Sequence, residues 1–565
     1  MAGAALAAAG TLAVAAPAAG TPAHGHGHGR PLPGVDHLVV IYQENHSFDN
    51  LYGGWGRVGG RRVDGTAAAV RSGRHVTQVA QDGAPYRCLL QDDVNLTSPT
   101  PLPTTCTDTA GGRAIESHFR NRPFLVDDYI APEDTTCPPP GVFAPNGVPK
   151  GTGLPGGCTR DLVHRFYQEQ YQIDGGRQDR YVTGSDAVGL TMGVYDTRQL
   201  PIYRYLHAPG APRYVVADRF FQGAFGGSFL NHQWLISAQA PVFPNAVGDG
   251  GADDLHSVLD TNGFPNTYPL YTPTTAVRDG ALTQACGLPT TRPGFACGDY
   301  AVNTLQPFFQ PYAPGTPDAR RLRVDDTSVA RNIGDELSDA GVPWAWYSGG
   351  WDNAAGNVGG RGWTNGTTPG TCTDPRHVPT AVYPNCPDLL FQYHHQPFSY
   401  FTRYAPGTAD RAAHLKDEAD FRHAARTGTL PVVSFVKPVG SENEHPGYAS
   451  EPNGSQHLVD LLRAVGSGPD AARTLVVVTY DEFGGQWDHV SPPGAGSRTP
   501  GPHDAFGPGT RIPALVIGPA VRRSSVDHTS YDTTSIIATI ERQYGLRPLT
   551  SRDARVNDLG HALHR

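Results

Sequence analysis

Two stretches of this sequence place oxygen-bearing side chains directly behind apolar runs. Residues 475–479, Leu-Val-Val-Val-Thr, lead through Tyr480 into Asp481-Glu482, then Gly484-Gly485 and Asp488-His489. Residues 35–42, Val-Asp-His-Leu-Val-Val-Ile-Tyr, lead through Gln43 into Glu44-Asn45 and on through His46-Ser47-Phe48-Asp49-Asn50. Adjacent carboxylates at the end of a buried run are costly unless a cation meets them. Carboxylate and amide oxygens are the ligands of hard divalent cations, so two such run ends brought together would build one cation site. Either motif alone reads equally well as an ordinary polar strand-to-loop junction; the two together favour the shared site.

Short, β-branched, wholly apolar runs are the mark of strands buried on both faces, as in parallel sheets. The carboxyl ends of such strands are where ligands bind in open α/β folds. Further strand-like runs fall at 214–217, 344–347, 431–436 and 511–517. Helix-like segments fall at 161–172, 197–206, 220–238, 328–340, 416–427, 455–465 and 533–544. This alternation predicts an α/β fold with a mostly parallel, doubly wound sheet. Residues 55–160 and 245–325 read as long loop insertions. With no repeat and no clean linker, residues 35–565 are expected to form a single domain.

The chain has 565 residues, 68 of them glycine and 51 proline, with 38% hydrophobic and 17% charged residues. That composition fits ordered loops around a large core rather than disorder. The formal net charge of −9 argues against a nucleic-acid partner, which would require a basic face. Lysine occurs only at 150, 416 and 437, which singles out Lys437 behind the run at 431–436. Residues 1–23 read as a secretory signal-like segment and residues 24–34 as a His/Gly-rich linker. The predicted location is therefore secreted or cell-envelope, without stable membrane insertion. Eight cysteines lie in loop-like sequence with no Cys-x-x-Cys pair. Nearest-neighbour disulfides 88–106, 137–158, 286–297 and 372–386 (Cys88, Cys106, Cys137, Cys158, Cys286, Cys297, Cys372, Cys386) are the simplest expectation for an exported chain.

Residues 44–50, 191–193, 444–447 and 480–490 resemble the phosphoesterase family of bacterial phospholipases C and secreted acid phosphatases, over about residues 35–545. The resemblance implies a three-layer α/β/α sandwich of the alkaline-phosphatase superfamily. It implies one divalent metal ion (calcium, magnesium, manganese or iron) held by Glu44, Asn45, Asp481 and Glu482. It further implies a hydroxyl nucleophile ahead of Met192-Gly193, here Thr191, with Ser185 as second choice. A metal-sharpened Thr191 would attack phosphorus and form a phosphothreonine. His394, His395 and His445 are the candidate proton donors to the leaving alcohol. Asn45, Lys437, His118 and His489 are further candidates for contact with substrate, although His489 reads equally as a loop support. His164 and His232 read as core or supporting residues. The expected activity is acid phosphatase on small phosphomonoesters. Phospholipase C acting on a phospholipid head group is the alternative, and a non-catalytic binding protein is the reading from another class.

Overall fold

The computed structural model of the chain describes residues 32–242, 301–311, 330–364, 390–494 and 496–564, with short stretches between 257 and 326. The signal-like segment, most of the linker, Cys286, Cys297, Cys372 and Cys386 lie outside the described residues.

An eight-stranded sheet forms the centre of an α/β fold. Its strands in chain order are β1 (His37–Gln43), β2 (Tyr214–Ala217), β3 (Trp344–Ser348), β4 (Leu415–Asp417), β5 (Val433–Lys437), β6 (Thr474–Tyr480), β7 (Ala514–Ile517) and β8 (Ser525–Asp527). The spatial order is β4-β3-β5-β1-β6-β7-β2-β8. All strands run parallel except β7, which is antiparallel to both β6 and β2. The sequence indicated six of the eight strands but not the reversal of β7; β8 was not anticipated, and β4 falls at the start of the segment 416–427 read as a helix.

All seven residues of β6 and six of the seven in β1 are buried. A strand buried on both faces gains about 1.5–3 kcal/mol per large aliphatic side chain, which explains why both are Val/Ile/Leu-rich throughout. Polar residues can then appear only where the strand ends. Five helices matter for the site and its support: α1 (Phe166–Ile173), α2 (Ser228–Ser237), α3 (Glu418–Thr427), α4 (Glu451–Gly466) and α5 (Thr534–Tyr544). Helix α2 is buried along its whole length, in keeping with apolar residues on all sides of it. It packs against α5, while α3 and α4 pack on each other.

The insertion at 55–160 is built from two-stranded ribbons, short helices at Thr66–Ser72 and Val94–Thr97, and loops, tied by disulfides Cys88–Cys106 and Cys137–Cys158 as expected. Among the described residues no helix is long and apolar enough to cross a membrane.

Candidate active site

Sheet register brings the two run ends together. In the parallel pair β1–β6, Gln43 lies opposite Tyr480, so Glu44 and Asp481 emerge side by side. The Asp481 amide donates to the Gln43 carbonyl at 3.0 Å, and the Asn45 amide donates to Asp481 Oδ1 at 3.2 Å. Asn45 takes a left-handed conformation, φ 58°, which asparagine tolerates better than most residues. Gly484, at φ 61°, lies so close that an added Cβ would sit 2.2 Å from the Asn45 carbonyl oxygen. Only glycine lets the loop after β6 close on the loop after β1. On the other side of β1, strand β5 ends at Lys437. Its buried ammonium donates to the Tyr42 carbonyl at 3.2 Å and forms a short ion pair with Glu44.

The hydroxyl at the centre of this group belongs to Ser228, the first residue of α2. Its Oγ lies 3.2 Å from Glu44 Oε2 and 3.5 Å from both Asn45 Oδ1 and Glu482 Oε1. The glycine turn ahead of it is sterically required. Gly226 has φ +89°, and a Cβ there would meet the Phe166 nitrogen at 2.5 Å. Glu169 of α1 fixes that turn by accepting the Gly226 amide at 2.6 Å. The N-terminus of α2 has no side-chain cap, so its first amides are directed at the site without intrahelical partners.

Thr191 is placed elsewhere, correcting the expectation that it meets the carboxylates. Buried in the turn Val188–Met192, its hydroxyl donates to the Val188 carbonyl at 2.8 Å. Its own carbonyl is tied to the Trp487 amide at 3.0 Å. Ser185 likewise serves its own loop, accepting from the Ala187 amide at 3.0 Å. Residues 220–238 read from sequence as a glycine turn leading into a helix, with no role assigned to Ser228. A small-residue turn followed by serine at a helix N-terminus is an anion-site pattern that would have drawn attention to Ser228.

Histidines surround the cluster. His395 Nε2 lies 3.1 Å from Glu44 Oε1, and the His395 ring stacks on His232 with centroids 4.6 Å apart. His232 Nδ1 donates to the Ser228 carbonyl at 2.7 Å, one helical turn back. His164 Nε2 is 3.4 Å from Glu482 Oε1. His445 donates from Nδ1 to the Pro446 carbonyl at 2.6 Å, which leaves Nε2 to accept from Asn45 Nδ2 at 2.8 Å. His164, His394, His395 and His445, with Ser228 and Asp161, line a cavity of about 420 Å³. His164 and His232 were read as core or supporting residues; both lie against the carboxylates.

Two sequence candidates lie away from the cavity. His118 donates from Nδ1 to the Pro103 carbonyl at 3.0 Å and packs beside Phe119 and Tyr129. His489 is held between Asp49, at 2.5 Å, and Asp64, at 3.2 Å, which is the loop-supporting alternative.

The electrostatics call for a cation. Burial, then the charge of Asp481, raises the Glu44 carboxyl despite Lys437. Burial and its neighbours Asp481 and Glu44 push Glu482 well up, and burial raises Asp481. Three buried carboxylates against one ammonium leave two formal negative charges (3 − 1). Asp481 Oδ2 is buried and makes no hydrogen bond. A deficit of two positive charges and an orphaned carboxylate oxygen fit a divalent ion, and Glu44 with His232 and His395 offers ligand atoms within 4.8 Å of one another, so imidazole nitrogens stand beside the oxygens. The imidazoles are kept neutral, since burial and then Lys437 hold His395 and His232 well below their usual range.

The chain is similar to known proteins. A model of the phosphoesterase family matches residues 35–547. Phospholipase C B of Mycobacterium tuberculosis is 26% identical over 478 residues, covering 76% of this chain and 71% of its own length. Phospholipase C A of the same species is 25% identical over 565 residues, covering 94% and 79%. Non-hemolytic phospholipase C of Burkholderia pseudomallei is 30% identical over 144 residues, covering 22% and 20%. A match running from the first sheet strand through α5 shows that this chain belongs to the phosphoesterase family, hydrolases of phosphoester bonds.

Proposed function

We propose that the chain hydrolyses small phosphomonoesters, as an acid phosphatase does, through a phosphoserine at Ser228. The carrying observation is the Ser228 hydroxyl within 3.5 Å of Glu44, Asn45 and Glu482 at the mouth of a helix N-terminus. A divalent cation among Glu44, Asn45, Asp481 and Glu482 would supply positive charge that favours the serine alkoxide and offsets the phosphoryl oxygens.

The protein's own groups account for the rest. The Ser228 Oγ–P bond forms as the P–O bond to the leaving alcohol breaks, and the hydroxyl proton passes to the carboxylate of Glu44, which already accepts it. The unpartnered amides at the start of α2 receive the phosphoryl oxygens. His394, which lines the cavity, is the proton donor to the leaving oxygen. Burial and Lys437 hold His394 low, at about 3, in the free site, and an anionic ester beside it favours the protonated form. Water then attacks phosphorus as the Ser228 Oγ–P bond breaks; the now neutral His394 takes the water proton, Glu44 returns its proton to Ser228 Oγ, and phosphate leaves. The mostly parallel eight-stranded α/β sheet supports this reading, and we assign it to the alkaline-phosphatase-like three-layer sandwich. The two disulfides fit an exported, oxidising location.

A second reading is phospholipase C, favoured by the names of the relatives and by Phe143. That residue is 46% exposed, yet it lines the cavity and packs on Tyr448, with centroids 5.4 Å apart, offering an apolar lip to a lipid. Comparing kcat/KM for p-nitrophenyl phosphate and p-nitrophenyl phosphorylcholine tests the order. A strong preference for the choline diester would reverse it.

A further inference from the structure

A second cavity, of about 720 Å³, opens on the loops at residues 73–77 and 175–179 and on residues 489–491 and 496–499. It is lined by Arg74, Arg177, Arg219, Arg498 and His489, together with His75, whose imidazole burial and neighbouring charge keep neutral, and with Asp179 as its one carboxylate. Such a concentration of guanidinium groups stands out on a chain with net charge −9. The acids behind the wall only partly neutralise it. Asp64 is shared among Arg74 at 3.2 Å, Arg219 at 3.6 Å and His489 at 3.2 Å. Asp174 and Asp179 serve Arg177, and Asp174 also serves Arg180. Arg498 is exposed and forms no ion pair among the described residues. Arg219 Nε is buried without a hydrogen-bond partner. Although burial opposes charge on His489, Asp49 and Asp64 outweigh it and raise the imidazole to about 9, so it is a cation at neutral pH.

From this geometry we propose a second, non-catalytic binding site for a compact multivalent oxyanion, a phosphate group, held by Arg219 and Arg498 with Arg74 and Arg177 at its rim. Guanidinium groups suit this ligand because their N–H pairs match two oxygens at once. The hydroxyls of Thr77 and Thr499 line the same cavity and can hydrogen-bond the remaining oxygens. Both free phosphate and a lipid phosphate head group present this chemistry, and the inference does not depend on the reaction proposed for Ser228.

The test uses the full chain and an Arg219→Ala/Arg498→Ala chain, each titrated calorimetrically with inorganic phosphate and floated with phosphatidylcholine vesicles containing phosphatidic acid. The intact chain should show two classes of phosphate site, one at the catalytic cavity. In the double variant the second class should weaken about tenfold or more, the loss expected for charge-assisted hydrogen bonds, with p-nitrophenyl phosphate turnover unchanged. Loss of vesicle flotation alone would support the site and assign the phosphate to a head group. Loss of free-phosphate binding alone would support the site and assign it to a soluble ion. Identical isotherms and flotation for both chains would overturn the proposal. Should the double variant fail to fold, Arg498→Glu on the exposed side chain decides by the same comparison.

Discussion

The two hydroxyls offered for attack on phosphorus, Ser228 and Thr191, make opposite predictions on removal. Ser228 touches three oxygens of the acidic cluster, whereas Thr191 touches only the Val188 carbonyl in its own turn. Ser228→Ala removes the atom that would form the bond to phosphorus. Removing a nucleophile that works as part of a unit costs roughly 10⁶-fold in kcat in a well-studied hydrolase, so a loss of at least about 10³-fold is expected here. Its effect on folding should be small. One weak hydrogen bond is lost, worth about 1 kcal/mol, and alanine is well accommodated in the first turn of α2. Thr191→Val reverses the pattern. It strands the Val188 carbonyl in a buried turn, at a cost of about 1–3 kcal/mol, and leaves kcat within about twofold. Steady-state hydrolysis of p-nitrophenyl phosphate, thermal unfolding and mass spectrometry of acid-quenched enzyme separate the two. The phosphorylated peptide should contain Ser228. A silent Thr191→Val melt with lost turnover, or an active Ser228→Ala chain, would refute the assignment.

Other consequences can be measured independently. Chelation should abolish turnover and also lower the melting temperature, because three buried carboxylates lose their counter-charge. Re-adding a divalent ion at 100 to 1,000 times its Kd should return about 3–4 kcal/mol, readable by calorimetry without substrate. Lys437→Met removes the one ammonium bonded to Glu44 and should cost on the order of 3 kcal/mol in the chelated protein, measured by urea unfolding. His489 is raised in the fold from about 6.5 to about 9 by Asp49 and Asp64 against burial. Its contribution, on the order of 3 kcal/mol, is therefore complete below pH ~6.5 and lost as pH rises through about 9. His489→Gln should flatten the alkaline arm of a melting-temperature profile; an unchanged arm would count against the ion pair.

How much of this was legible in the sequence follows from what burial enforces locally. Strands β1 and β6 are apolar over their length because both faces are covered, so Glu44 and Asp481 announce the strand ends by contrast. The neighbouring cysteine pairs 88–106 and 137–158 close as expected because each spans a short loop. Other features depend on docking, which periodicity does not encode. Ser228 meets Glu44 across 184 positions only because the Gly226 turn aims the start of α2 at the strand ends. Thr191 and Ser228 are chemically equivalent on paper, and the choice between them is made by where the helix lands. The reversal of β7 is equally silent, since a buried strand has the same composition in either direction. His232 and His164 illustrate the middle ground: each makes a local backbone hydrogen bond, as a core histidine would, yet turns its ring toward a carboxylate.

The adjacency of β5, β1 and β6 explains why so much charge can be gathered here. Register places Glu44 beside Asp481 at the ends of β1 and β6, while Lys437 ends β5 opposite Tyr42 and reaches Glu44 with its side chain. Each ionised group held inside would cost several kcal/mol alone. The fully buried aliphatic residues of the same strands offset that cost, at about 1.5–3 kcal/mol each. The central sheet thus supplies both the energy and the alignment, and the arrangement stays two charges short. A site held rigidly in that condition favours a divalent cation over a monovalent one, because only the former closes the deficit with a single ion. It also favours an anionic ester only when that cation is present. Metal and substrate affinity should therefore be positively coupled, each tightening the other by the same factor. Phosphate titrations of the Ser228→Ala/Arg219→Ala/Arg498→Ala chain, with and without the divalent ion, measure that factor directly. Equal phosphate affinities in the two titrations would show that the acidic cluster and the α2 N-terminus act independently.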